Sequence, residues 1–221
     1  MLAPHIIFDF DGTLIDSSPA ILETIAAVLS ARSIALVRPL SRELIGPPLQ
    51  ATLQACSGTT NKRVLEELAA DFRTRYDSAG LFATQAYPGI AAVLRQMRAA
   101  GSQLHLATNK RQRPTQLLLA HFGWEPWFAS VYCVDSRTPP YASKGAMLQN
   151  QLQELKLDPN DAIYVGDTGH DEKAAADAGL SFIAAGWGYG VGEQAVSTSA
   201  RLLQSVEDLL NFHETDNGSK T

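Results

Sequence analysis

The sequence predicts an α/β fold, a doubly wound, Rossmann-like parallel sheet core with an inserted α-helical cap domain. Three observations carry this reading. Short apolar runs recur along the chain, and most are continuous rather than alternating, as in strands buried on both faces. Amphipathic stretches of helical length separate most of them, and several end at glycine. One long interval, from Asp16 to Tyr87, breaks the alternation and reads as helix throughout.

The first strand is the run His5–Phe10. Ser17-Ser18 then opens a helix over Pro19–Ser30, with proline in the first turn, where its missing N–H costs nothing. Pro47-Pro48 precedes a shorter helix over Leu49–Cys56. In Asn61–Tyr76, the residues Val64, Leu65, Leu68, Phe72 and Tyr76 recur at close to the 3.6 period of a helix with one buried face. These helices place the cap at 17–85, with hinges at Asp16–Ser18 and Thr84–Pro88, and leave 1–16 and 86–221 for the core.

The rest of the chain resumes the alternation. Helix Ile90–Ala100 stops at Gly101 and feeds strand Gln103–Thr108. Helix Thr115–Phe122 stops at Gly123 ahead of strand Ser130–Val134. Helix Gly145–Leu155 ends before Asp158-Pro159 and strand Ala162–Gly166. Helix Glu172–Ala178 stops at Gly179 ahead of strand Ser181–Ala185. Arg201–Phe212 reads as a last helix, and His213–Thr221 as a polar tail that frays. Trp124, Pro126 and Trp127 form an apolar cluster expected in the core.

Composition narrows the function. Of 221 residues, 45% are hydrophobic and 19% charged, which excludes disorder over most of the length. Lys and Arg total 18 against 23 Asp and Glu, a net charge of −5, which argues against a broad nucleic-acid surface. Cys56 and Cys133 lie far apart, with no Cys/His cluster of the kind zinc needs. The start Met1-Leu2-Ala3-Pro4-His5 lacks the basic and apolar regions of a signal peptide. No run approaches the ~18 apolar residues of a membrane span. A cytoplasmic protein with no membrane partner is the expectation.

Chemistry concentrates where strands end, the edge at which open α/β sheets bind ligands. The first strand runs into Asp9-Phe10-Asp11-Gly12-Thr13, and carboxylates at i and i+2 of an extended segment point to one side. Two negative charges held together need a proton or a cation. Strand Ala162–Gly166 runs into Asp167-Thr168-Gly169-His170-Asp171. Asp9, Asp11 and Asp167 make an oxygen-rich set suited to Mg²⁺. Asp171 also suits a helix N-terminus. His170 reads as an exposed loop residue, because hard oxygen sites seldom recruit imidazole. Thr108 and Asn109 end the second strand, where a hydroxyl and backbone N–H can hold a phosphate. Lys144, at the start of the next helix but one, supplies a cation.

These segments together resemble the haloacid dehalogenase superfamily of phosphohydrolases. Asp9-Phe10-Asp11-Gly12-Thr13-Leu14 resembles its first motif, Leu106-Ala107-Thr108-Asn109 the second, Lys144 the third and Gly166-Asp167-Thr168-Gly169-His170-Asp171 the fourth. The inserted helices match the family's small cap. Ile45-Gly46-Pro47-Pro48-Leu49, Tyr87-Pro88-Gly89 and Gly186-Trp187-Gly188-Tyr189-Gly190 resemble phosphoglycolate phosphatase-like members. Lys144 departs from many relatives in being followed by Gly145 rather than proline.

The resemblance implies a Mg²⁺-dependent phosphatase acting on a small phosphorylated metabolite. Asp9 would be the nucleophile and Asp11 the general acid and base. Thr108, Asn109 and Lys144 would hold the phosphoryl group. Asp9, Asp167 and the main-chain carbonyl of Asp11 would hold the metal, with Asp171 behind them acting through water or Lys144. Arg42, Gly46 and Gln50 are the candidates for selectivity from the cap. A 5′-nucleotidase, a β-phosphoglucomutase-like phosphotransferase and a non-catalytic binding or regulatory protein are the competing readings. Either a monomer or a homodimer fits.

Overall fold

The computed structural model describes residues 3–190 and 192–211. Strand β1 (His5–Phe8) leads to a two-residue strand β2 (Ile15–Asp16) and then to helices α1 (Ser18–Ala31), α2 (Leu49–Ser57) and α3 (Lys62–Arg75). Strand β3 (Gln85–Ala86) pairs antiparallel with β2, so the way into the helical segment and the way out run side by side. The expected boundaries at 16 and 86 fall on this ribbon.

The chain then alternates: α4 (Ile90–Ala99), β4 (Gln103–Thr108), α5 (Gln112–Phe122), β5 (Phe128–Cys133), α6 (Lys144–Leu155), β6 (Ala162–Gly166), α7 (Gly169–Asp177), β7 (Ser181–Ala185) and β8 (Arg201–Leu203). The sheet order is β5-β4-β1-β6-β7-β8, and every neighbouring pair is parallel. Alternate residues of β1 face opposite ways. Ile6 and Phe8 join the core that includes α1, α3, α4 and α5, while Ile7 joins Met147, Leu148 and Ala175 from α6 and α7.

Local signals explain the element ends. Asn61 caps α3 by accepting from the N–H groups of Arg63 and Val64. Gly123 ends α5 in the left-handed region at φ +69°, where a side chain would be strained. Trp124 is buried in the core, as expected; Trp127 is half-buried and Pro126 exposed. Cys56 and Cys133 are both buried free thiols. No helix of the described residues is long and apolar enough to cross a membrane.

The expected last helix over Arg201–Phe212 is not formed. Arg201–Leu203 pairs instead with Ile183–Ala185 as the sheet's sixth strand. Val206–Leu210 is a short 3₁₀ turn started by a Ser205–Asp208 capping box. The spacing of Leu203, Val206, Leu209 and Leu210 suits a helix, but an open strand edge at β7 competes for the first three residues. Phe212 and the tail His213–Thr221 lie outside the described residues.

Candidate active site

Parallel register brings the site together. Phe8 lies beside Leu106 on one side and Val165 on the other. The residues after these strands therefore emerge along one edge, and Asp9, Thr108 and Asp167 meet there although they are far apart in sequence. With Asp11, Asn109 and Lys144 they line a cavity of about 320 Å³. The helical segment contributes Ile45, Gly46, Gln50 and Phe72 to its walls.

Asp9, Asp167 and Asp171 each offer a carboxylate oxygen within 4.8 Å of the others. All three are buried. Lys144 Nζ lies 2.9 Å from Asp9 Oδ2 and 2.5 Å from Asp171 Oδ1. Burial works against the charge of Lys144, but Asp171 and Asp9 outweigh it and hold the ammonium above the ordinary lysine range. For Asp9 burial wins over Lys144, and its pKa rises to about 6. Burial and the neighbouring Asp171 and Asp9 push Asp167 well above the carboxylate range.

This arrangement fits a divalent cation. Asp9 Oδ1 is buried and has no hydrogen-bond partner among the described residues. Asp167 Oδ2 accepts one short bond, 2.6 Å from the Tyr189 N–H, and Asp167 Oδ1 has only a long one from Thr13 Oγ1 at 3.4 Å. Lys144 pairs with Asp9 and Asp171 and with no oxygen of Asp167, so one lysine leaves the three buried carboxylates short of positive charge, and hard oxygen donors suit Mg²⁺. Asp171 differs. Its Oδ1 accepts from Lys144 and Tyr164, and its Oδ2 from the Thr168 N–H and hydroxyl. Both oxygens are committed, so Asp171 caps α7 and fixes Lys144 at once.

Asp11 stands apart from the carboxylate cluster. Its side chain meets Lys110 Nζ at 3.0 and 3.3 Å and Ser17 Oγ at 2.5 Å. Thr108 Oγ1 accepts from the Lys110 N–H at 3.2 Å and has no acceptor for its own hydrogen among the described residues. A phosphoryl oxygen would provide one. Asn109 Nδ2 donates to the Gly46 carbonyl at 3.4 Å, linking this loop to the helical segment.

The remaining candidates are divided. Gly46 and Gln50 line the cavity, whereas Arg42 does not. Its guanidinium binds Asp16 Oδ2 at 3.0 Å and is half exposed. His170 is exposed, as expected, but sits in the first turn of α7 rather than in a loop. Lys110 is a site residue that the sequence reading passed over. It follows Asn109 directly, and only the turn of Asp11 towards it reveals a role.

Comparisons with known proteins bear on this geometry. The profile of the family described as haloacid dehalogenase-like hydrolase matches residues 6–185. A phosphoglycolate phosphatase of Rhodobacter capsulatus is 33% identical over 196 residues, covering 85% of this chain and 86% of its own. The tyrosine-protein kinase PtkA of Mycobacterium tuberculosis is 31% identical over 210 residues, covering 95% of this chain and 71% of its own. The solved structure of PtkA superposes with a TM-score of 0.81 at 29% identity, over 95% of this chain and 97% of that one. The crystal structure of "a predicted phosphatase" from Clostridium acetobutylicum superposes with a TM-score of 0.84 at 25% identity, over 96% and 98% of the two chains.

Proposed function

The chain belongs to the haloacid dehalogenase-like hydrolase family, and from that premise we propose that it is a Mg²⁺-dependent phosphatase hydrolysing a small phosphomonoester through an aspartyl-phosphate, with phosphoglycolate the first candidate. The observation that carries the reading is Asp9. It is a buried carboxylate at the cavity, with Oδ2 held by Lys144 and Oδ1 without a partner.

Asp9 would attack phosphorus through one carboxylate oxygen while Lys144 holds the carboxylate in orientation. As the Asp9–phosphorus bond forms, the ester bond to the leaving alcohol breaks, and Asp11 gives that oxygen its proton. Asp11 then takes a proton from the water that attacks phosphorus, releasing phosphate and restoring Asp9. Lys144 stabilises charge on the phosphoryl oxygens, and the Thr108 hydroxyl and Asn109 amide orient the group. Asp9, Asp167 and the Asp11 carbonyl would hold Mg²⁺, which when bound offsets the repulsion between the carboxylates and the phosphate dianion. The segment 17–85 acts as a lid whose apolar residues exclude water from the closed site.

Phosphate release is measured from phosphoglycolate, sugar phosphates and nucleoside monophosphates, with Mg²⁺, with chelator and with Asp9→Asn. Release that needs both Mg²⁺ and Asp9 is expected, and turnover unchanged in Asp9→Asn sinks the proposal. The nucleoside monophosphates test the 5′-nucleotidase reading in the same assay. The kinship with PtkA, which bears a kinase name, favours phosphoryl transfer to another hydroxyl as the second reading. Phosphate released in full stoichiometry with the alcohol excludes it.

A further inference from the structure

We propose that Lys110 is the positioning residue of Asp11 and that Tyr76 ties this role to the helical segment. The inference rests on the reading above, in which Asp11 handles the leaving-group proton. Two lysines of the site pair with different carboxylates. Lys144 takes Asp9 and Asp171, and Lys110 takes Asp11 alone, with Nζ 3.0 Å from Oδ1 and 3.3 Å from Oδ2.

The pair is not a surface contact. The Lys110 side chain is 5% exposed and that of Asp11 is 16% exposed. An ammonium this deep persists only with partners for its N–H groups. Here they are Asp11 and the Tyr76 hydroxyl, at 2.9 Å, with the Tyr76 ring centroid 5.0 Å from Nζ. Together with Ser17, Lys110 fixes the plane of the Asp11 carboxylate and holds it off the cluster of Asp9, Asp167 and Asp171. That separation is what the chemistry requires. A carboxylate drawn in beside Asp9 and Asp167 would be turned away from the position of the leaving group.

Tyr76 gives the arrangement its reach. It begins a π-turn, Tyr76–Gly80, that directly follows α3, and it stacks on Phe72 of α3 at 5.2 Å. Phe72 lines the same cavity. A residue of the helical segment thus bonds the lysine that orients Asp11, so the position of α3 is relayed to Asp11 through two hydrogen bonds. π-turns inside helical segments are frequent at functional sites.

The test uses leaving groups. 4-Nitrophenolate departs without a proton, whereas the alkoxide of an alkyl phosphate needs one. The quantity read is kcat/KM, which covers the steps through the first phosphoryl transfer. Lys110→Met is expected to lower kcat/KM on the alkyl ester about 100-fold or more and on 4-nitrophenyl phosphate less than about tenfold, with Asp11→Asn giving the same pattern. Tyr76→Phe, which keeps the ring and loses the hydroxyl, shows the same selectivity on a smaller scale, and Lys110→Arg recovers part of the alkyl activity. Should Lys110→Met fail to fold, Tyr76→Phe carries the test. Equal losses on both esters, or no loss, overturn the inference. Wild-type protein that releases phosphate from neither ester marks instead the failure of the phosphatase reading.

Discussion

Asp167 leaves no space for a side chain at Gly12: a β-carbon placed there lies 2.1 Å from Asp167 Oδ2, and Gly12 holds φ at +82°. Gly188 is pressed against the same carboxylate, its β-carbon position 2.3 Å from Asp167 Cβ. The turn after β1 and the loop after β7 thus clamp Asp167 from two sides, while the Tyr189 N–H bonds it from the second. Gly12→Ala must displace Asp167 and adopt a strained backbone. Turnover is expected to fall about 100-fold and stability by about 1–3 kcal/mol, read from urea unfolding. Gly123→Ala is the control, because Gly123 also has a positive φ but nothing within 4 Å. It loses stability and keeps turnover. Equal activity in the two variants would show that Asp167 does not serve the site.

Lys144 compensates two buried carboxylates, so removing it costs more than an ordinary ion pair. Lys144→Met leaves Asp9 and Asp171 facing each other without a counter-charge. A loss of about 3–5 kcal/mol is expected in metal-free protein, with turnover close to background. Saturating Mg²⁺ recovers part of the stability and none of the turnover, since the phosphoryl oxygens still lack their lysine. Thermal unfolding with and without Mg²⁺ separates the two effects. Stability within about 0.5 kcal/mol of wild type would mean that the cluster is hydrated rather than dry.

The fold was legible in the sequence wherever one signal acted alone. Continuous apolar runs marked β1, β4, β5, β6 and β7, and glycine marked the ends of α5 and α7. Arg201–Leu203 failed because its leucine spacing suits a helix, whereas pairing with Ile183–Ala185 is decided by a distant strand. The site divided in the same way. Thr108 ends β4, and Asp9, Asn109 and Asp167 follow strand ends, which sequence locates. Lys110, Ser17 and Tyr76 act through the direction in which Asp11 turns, and three separate segments set that direction. Arg42 is a candidate for a substrate carboxylate by charge, with an exposed surface position the stronger reading; its pairing with Asp16 is set by a separate segment and is not legible in the sequence.

Asp9 makes the metal-free protein sensitive to pH in a defined direction. Burial raises its pKa from 3.8 to about 6, against the opposing pull of Lys144. The folded chain therefore binds this proton more firmly than the unfolded chain. The stabilisation is complete below 3.8 and is lost as pH rises through about 6. Asp9→Asn has no such proton to lose. Relative to wild type it should gain up to about 3 kcal/mol between roughly pH 4 and pH 7. Millimolar Mg²⁺, which suits the ionised Asp9, shrinks the difference. Parallel stability curves for the two proteins across that range would remove the burial argument.

Arg42 is the sharpest test of how the helical segment selects substrate. A cation beside the cavity suggests recognition of a carboxylate such as that of phosphoglycolate. The geometry points elsewhere. Arg42 donates to Asp16 at 3.0 Å, and Asp16 in turn accepts from Ser18 and from the Tyr189 hydroxyl. The guanidinium thus belongs to the ribbon where the chain enters the helical segment. Half exposed, the pair is worth about 0–1 kcal/mol. Arg42→Ala is therefore expected to cost less than about 1 kcal/mol and to leave KM for phosphoglycolate within about twofold, a change of under about 0.5 kcal/mol in binding. Gln50→Ala and Gly46→Val alter residues that do line the cavity, and they shift KM more. A tenfold rise in KM for Arg42→Ala, with kcat unchanged, would mean that Arg42 leaves Asp16 for the substrate and that the cavity's polar end extends to position 42.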